Sequence, residues 1–137
     1  MNIIETDRQI EAVYHAQVEL YRVLNHPARL AILEILRDGE QCVCHLEAIL
    51  GLRQAYISQH LMVLREAGLV EDRRDGWNVF YHVMRRQIYR VTDAMSGLTG
   101  QPRWKPVHAN GPTECPCPKC NASKRNNGTE LPGDNNV

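Results

Sequence analysis

The residues best equipped for chemistry in this sequence are its five cysteines, which fall into two short clusters. Cys42 and Cys44 enclose a single valine, and Cys115, Cys117 and Cys120 form a Cys-Pro-Cys-Pro-Lys-Cys run. Thiols this close together bind soft metal ions as thiolates or form redox couples. On an ideal helix residues two apart point to different sides, so Cys42 and Cys44 converge only where the chain is not yet regular helix. Their place just past Asp38-Gly39-Glu40, at a helix start, permits that. The same helix N-terminus lowers thiol pKa values and favours thiolates. Two thiolates are too few for a tight site, which takes three for trigonal arsenite or about four for zinc, cadmium or lead. The second cluster offers the remainder, because its prolines prevent a helix and leave a turn able to close around an ion. The plainer alternatives are small buried hydrophobes for Cys42 and Cys44, and a mobile reactive segment for Cys115, Cys117 and Cys120. His45 and His108 stand near enough in sequence to assist, although a lone histidine is more often no ligand.

The hydrophobic pattern supplies the elements that must position these groups. A chain of 137 residues is normally one domain with a modest core. Apolar residues run through the first hundred positions, and from Gln101 the sequence turns to Pro, Gly, Asn and Cys. The expected organisation is one domain over residues 1–100 and an irregular, partly disordered Cys/Pro-rich tail over 101–137. No apolar run is long enough to span a bilayer, and the first residues lack the layout of a signal peptide. The expected location is therefore the cytoplasm, with no membrane partner. Thiols stay reduced there, which favours metal or redox chemistry over structural disulfides.

Thr6-x-x-Gln9 reads as a capping box opening a first helix with Ile10, Val13, Tyr14, Tyr21 and Leu24. Pro27 suits the first position of a second helix, apolar on more than one face through Leu30, Ile32, Leu33, Ile35 and Leu36 and ended by Gly39. A short helix with Val43, Leu46, Ile49 and Leu50 stops at Gly51. A longer one from about Gln54, with Ile57, Leu61 and Leu64, stops at Gly68. Two helices joined by a tight glycine turn make a helix-turn-helix. The period then changes to two, with Leu69 to Arg73 and Val79 to Val83 flanking the loop Arg74-Asp75-Gly76-Trp77-Asn78 as a hairpin. A last helix carries Ile88, Val91, Met95 and Leu98 in one stripe, too apolar to leave wet, and is expected to pair with helix one and a second subunit. The fold class is mainly α (α+β): a homodimeric winged helix-turn-helix with a two-stranded hairpin wing.

The segment from Leu24 to Val83 resembles the ArsR/SmtB family of metal-responsive repressors. The resemblance rests on Leu24-Asn25-His26-Pro27-Ala28-Arg29, on Cys42-Val43-Cys44-His45-Leu46, on Ser58-Gln59-His60-Leu61 and on Leu64-Arg65-Glu66-Ala67-Gly68-Leu69-Val70. It implies a homodimer that binds double-stranded operator DNA with an inverted repeat and releases it when inducer arrives. It also implies that Cys42 and Cys44 occupy the positions of the thiolates used by arsenic- and cadmium/lead-sensing members. The sequence departs from the family at two places. Glu47 stands where arsenic sensors can carry a third cysteine, and the last helix lacks the Asp/His pairs of zinc and cobalt sensors. The expectation is a sulfur-only site drawn from Cys42, Cys44, Cys115, Cys117 and Cys120, with arsenite or antimonite ahead of cadmium or lead, and zinc as a further candidate. A thiol redox or persulfide sensor using the same cysteines is the alternative. An enzyme is not expected, since no nucleophile, base and orienting group recur together.

Net charge is zero, yet basic residues outnumber acidic ones between Arg53 and Arg90, so a local basic face is compatible with the composition. With Ile57, Leu61 and Leu64 facing the core, Gln54, Ala55, Ser58, Gln59 and Met62 project to the opposite side of the recognition helix. Gln54, Ser58 and Gln59 are the leading candidates for reading bases, with Ala55 beside them on the DNA-binding surface, and His60, which lies nearer the core, is a DNA-contact candidate of lower rank. Arg65 is a candidate for phosphate or structure, and Arg73, Arg74 and Asn78 are candidates for backbone or minor-groove contact from the wing.

Overall fold

The structure, a computed structural model, describes residues 3–106. Helix α1 spans Ile3–Leu24, so it starts before the expected capping box and takes Thr6 and Gln9 into its interior. Not one of its residues is buried. Only Leu20, Val23 and Leu24 at its end pack partly against the core, while Ile10, Val13, Tyr14 and Tyr21 stay exposed. Helix α2, Pro27–Ile35, opens with proline at its first turn and is capped by His26, whose Nδ1 accepts from the Ala28 N–H at 3.2 Å. It tightens into a 3-10 turn over Leu36–Asp38 before Gly39.

The short strand β1, Gln41–Cys42, leads directly into helix α3, Val43–Leu50. Gly51 ends α3 in the left-handed conformation, φ 63°, and donates to the Glu47 carbonyl. Helix α4, Gln54–Glu66, follows, then strands β2, Val70–Asp75, and β3, Asn78–Val83, and finally helix α5, Ile88–Thr99. The hairpin is longer than its sequence suggested. Its strands stay in register to the Asp75/Asn78 pair, so the turn shrinks to Gly76-Trp77, with Gly76 at φ 60° as a two-residue hairpin turn needs. Beyond that hairpin the sheet has a third member: its order is β1-β3-β2, with Gln41 opposite Tyr81 and Cys42 opposite Phe80. A two-residue strand has no alternation to read, so periodicity carries no signal for it.

The core gathers one face of each of α2, α3 and α4, with Leu33, Ile35, Leu46, Ile57, Leu61 and Leu64 at its centre. Helix α5 joins it only at its first turn, where Ile88 and Tyr89 are buried. Tyr89 donates its hydroxyl to the Leu33 carbonyl at 2.6 Å, and burial pushes its pKa up to about 12. Arg37 stacks over the Tyr89 ring at 4.3 Å and pairs with Asp93 of α5 at 2.6 Å and with Glu34 of α2 at 3.1 Å. Arg103, past the end of α5, pairs with the same Glu34 at 3.0 Å. The base of α5 is therefore fixed to α2, while Val91, Met95 and Leu98 farther along it remain exposed. Between α1, α2 and α5 lies an apolar groove of about 780 Å³ with Val18, Tyr21, Leu30, Val91 and Met95 in its walls. Among the described residues no helix is long and apolar enough to cross a membrane.

Candidate nucleic-acid interface and thiol site

Helix α4 is amphipathic in the sense its sequence required. Ile57, His60, Leu61 and Leu64 are buried, and Gln54, Ala55, Ser58, Gln59 and Met62 are exposed on the other side. His60 thus belongs to the core face, which removes it from the surface a DNA duplex can touch. Its Nδ1 accepts from Arg29 Nε at 3.1 Å, so the ring proton sits on Nε2, a buried atom with no hydrogen-bond partner. Burial, and then the neighbouring His26 and Arg29, hold its pKa below the ordinary histidine value. His60 is therefore a neutral packing residue near neutral pH.

A polar cluster builds up around it. Arg29 also donates to the carbonyls of Val23 at 3.0 Å and Arg22 at 3.4 Å, the last turn of α1. The His26 ring lies 4.2 Å from that of His60, and His26 Nε2 meets the Tyr56 hydroxyl at 3.3 Å. Because Nδ1 of His26 already accepts from Ala28, Nε2 carries the proton and donates to Tyr56. Tyr56, on the first turn of α4 and partly exposed, was not among the sequence candidates. Its link to the cap of α2 places it where α4 meets solvent.

The wing is tied to α4 by Arg65 and Asp72, 3.3 Å apart, so Arg65 holds structure at the very base of the hairpin. Arg73 is engaged too. It bonds Glu40 through two nitrogens, at 2.6 and 3.1 Å, and lies over the Phe80 ring at 4.9 Å. The Glu40 carboxylate raises its pKa further and fixes it against the start of β1. Arg74 is exposed and makes no ion pair among the described residues, and Asn78 is half-buried beside the turn. At the tip Trp77 is fully exposed.

Cys42 and Cys44 come together around one aromatic ring. Cys42 is extended, φ −79° and ψ 159°, as the last residue of β1 and the N-cap of α3, so it lies outside the helix that contains Cys44. Cys42 is buried against Phe80 and Cys44 packs beside them, half-exposed. The reading of Cys42 as a small buried hydrophobe thus describes its packing, and Cys44 is the more accessible sulfur. His45 is buried. Among the described residues no three or more His, Cys, Asp or Glu side chains are grouped to hold a metal ion, so two thiols are what this part of the chain offers. Cys115, Cys117, Cys120 and His108 lie outside the described residues. In α5, Asp93 pairs with Arg37 at 2.6 Å.

Comparisons with known proteins agree with this geometry. Residues 26–72, which run from the cap of α2 into β2, match the family model described as bacterial regulatory protein, arsR family. The chain is 42% identical over 79 residues to a biofilm growth-associated repressor of Agrobacterium fabrum, covering 58% of this chain and 68% of that one. It is 47% identical over 68 residues to the arsenic resistance transcriptional regulator ArsR1 of Pseudomonas putida, covering 50% of this chain and 52% of that protein. The homodimeric winged helix-turn-helix DNA-binding domain Mb0332 of Mycobacterium bovis superposes with a TM-score of 0.58 at 26% identity, over 65% of this chain and 82% of that one.

Proposed function

The chain belongs to the ArsR family of bacterial transcriptional regulators, and from that premise we propose that it is a homodimeric repressor that lets go of operator DNA when a thiophilic metal or metalloid binds Cys42 and Cys44. It is a DNA-binding regulator and not an enzyme. The observation that carries the sensing half is the meeting of Cys42 and Cys44 around Phe80 at the junction of β1 and α3. Two thiolates need a third for arsenite or antimonite, the favoured inducers, and Cys115, Cys117 or Cys120 supplies it. Cadmium, lead or zinc would recruit one more.

The coupling follows from β1. A Cys42 sulfur that ligates an ion leaves its place against Phe80, and Phe80 is its partner on β3, the inner strand of the wing. Ligation therefore loosens the wing from the body of the domain. It also tilts the N-terminus of α3, the first helix of the helix-turn-helix. A switch of this kind needs a coupling of about 1–3 kcal/mol or somewhat more.

On the DNA side, Gln54, Ser58 and Gln59 read bases in the major groove beside Ala55, and Arg74 and Asn78 approach the backbone from the wing. Homodimer formation covers the α1 face and the stripe Val91, Met95, Leu98, which the single chain leaves open. Two recognition helices about one DNA turn apart then call for an inverted repeat.

The test is to titrate arsenite, antimonite, cadmium, lead and zinc into reduced protein bound to a labelled duplex and follow release by fluorescence anisotropy. Release by arsenite in the wild type, lost in Cys42→Ser and Cys44→Ser, supports the reading. Release by a mild oxidant or polysulfide with no metal added assigns the thiols to redox sensing instead. A protein truncated after Pro112 that still releases with full inducer affinity removes Cys115, Cys117 and Cys120 from the site.

A further inference from the structure

The wing ends in an indole that none of the described residues covers. Trp77 has 102% relative exposure and occupies the second position of the Gly76-Trp77 turn, held by the Asp75/Asn78 pair behind it. The tip stands about 17 Å beyond Val70, five strand steps of about 3.4 Å each. The hairpin that carries it is braced rather than loose. Arg65 joins β2 to α4 at 3.3 Å, Arg73 joins it to Glu40 at 2.6 Å, and β1 lines the far side of β3. The tip is therefore presented at a fixed distance and angle from the exposed face of α4.

Charge does not account for what the tip can bind. Along β2 and β3, Asp72 is matched by Arg65, Arg73 by Glu40, and Glu71 stands 3.5 Å from His82. That leaves Arg74 and Asp75, adjacent and opposite in sign, so a phosphate contact from Arg74 is the charge the end of the hairpin offers and leaves the ring unaccounted for. What it offers is a rigid aromatic plane with one N–H donor. An apolar side chain carried on a braced arm beside a recognition helix suits the narrow minor groove, where such residues wedge against or between bases and bend the duplex. Bases stack on an aromatic plane whatever their identity.

We infer that Trp77 is a DNA-contacting wedge, entering the minor groove flanking the stretch read by α4 and bending the duplex there. The inference rests on the DNA-binding reading of the fold and goes beyond it by adding a contact from the ring to the backbone contact of Arg74. It separates the two by salt. Arg74 contributes to the counterion slope, and Trp77 does not.

The experiment uses a duplex selected by the full-length wild-type protein from a randomised pool, end-labelled for energy transfer. Trp77→Ala is expected to melt as the wild type does, because the ring is fully exposed among the described residues. It should bind the duplex about 5- to 150-fold more weakly, in keeping with the loss of one base–aromatic contact, with an unchanged salt slope and a straighter duplex. Trp77→Phe should recover much of the affinity and bend. If Trp77→Ala binds and bends the selected duplex as the wild type does, the wedge is wrong and the tip serves another partner. If the wild type selects no duplex at all, the DNA-binding reading fails and the wedge fails with it.

Discussion

Truncating Leu98 tests the proposed dimer with little disturbance to the fold that carries it. Leu98 is 81% exposed, so its own chain buries only about a fifth of it and its removal barely touches the core. Leu98→Ala deletes three carbons, worth about 2.4 kcal/mol at about 0.8 kcal/mol each when fully buried. Roughly four-fifths of that, about 1.9 kcal/mol, is left for a partner to bury. A two-fold interface uses the same patch twice, which doubles the loss to about 4 kcal/mol. At about 1.4 kcal/mol per factor of ten, the dimer dissociation constant should rise several-hundred-fold at most. Val13, 73% exposed on α1, loses two carbons on truncation, and the same reasoning gives about 2.3 kcal/mol and a roughly 50-fold change. Sedimentation equilibrium on the wild type and both variants measures these constants, with thermal melting of each at high concentration as a check on the fold. A wild type that is monomeric at tens of micromolar would sink the reasoning. So would two variants that dimerise as tightly as the wild type.

Gln54→Ala and Ser58→Ala should each weaken binding to the selected duplex by roughly 1–3 kcal/mol while sparing non-specific DNA, whereas Arg74→Ala should weaken both and reduce the salt slope by about one, all read from anisotropy at several salt concentrations. Cys42→Ser or Cys44→Ser should leave a dimer that still binds DNA but no longer releases it with arsenite; loss of DNA binding itself would place the thiols in the structural core and not in the sensor. The Tyr89 phenol is raised to about 12 by burial, so its neutral form stabilises the fold fully below the unfolded phenol value near 10. That contribution should fade between pH about 10 and 12, and Tyr89→Phe should melt without this alkaline step, at the cost of the 2.6 Å bond to the Leu33 carbonyl.

Much of this arrangement was legible in the sequence because it follows from periodicity and punctuation. Pro27 and Gly51 mark helix ends, Ile57, Leu61 and Leu64 orient α4, and the Asp75-Gly76 pair announces the hairpin. The parts that were not legible depend on contacts between residues far apart in the chain. The spacing of α4 puts His60 toward the core, but its partner there, Arg29 from α2, is visible only in the fold. Arg73 looks like a phosphate ligand until Glu40, thirty-three positions earlier, binds it. The start of α1 was set too late because the Thr6 pattern is local, and the helix extends past it with no tertiary contact to stop it. Trp77 did carry a sequence signal, an aromatic in a turn between polar residues, and its meaning emerged only once the strands were seen to close up to the Gly76-Trp77 pair.

Arg29 joins the last turn of α1 to the middle of α4 through one planar guanidinium, with the carbonyls of Val23 and Arg22 on one side and the His60 ring on the other. In the proposed dimer joined through α1, that linkage, together with the core packing of α1, α2 and α4, would set how far each reading helix stands from the symmetry axis. Arg29 would then be one of the contacts that hold the spacing of the half-sites. A lysine in its place has a single ammonium and no rigid fork to span both ends. A repressor so altered should keep its base preferences and tolerate a wider range of half-site spacings, which binding to duplexes with one base pair added or removed between the halves would measure.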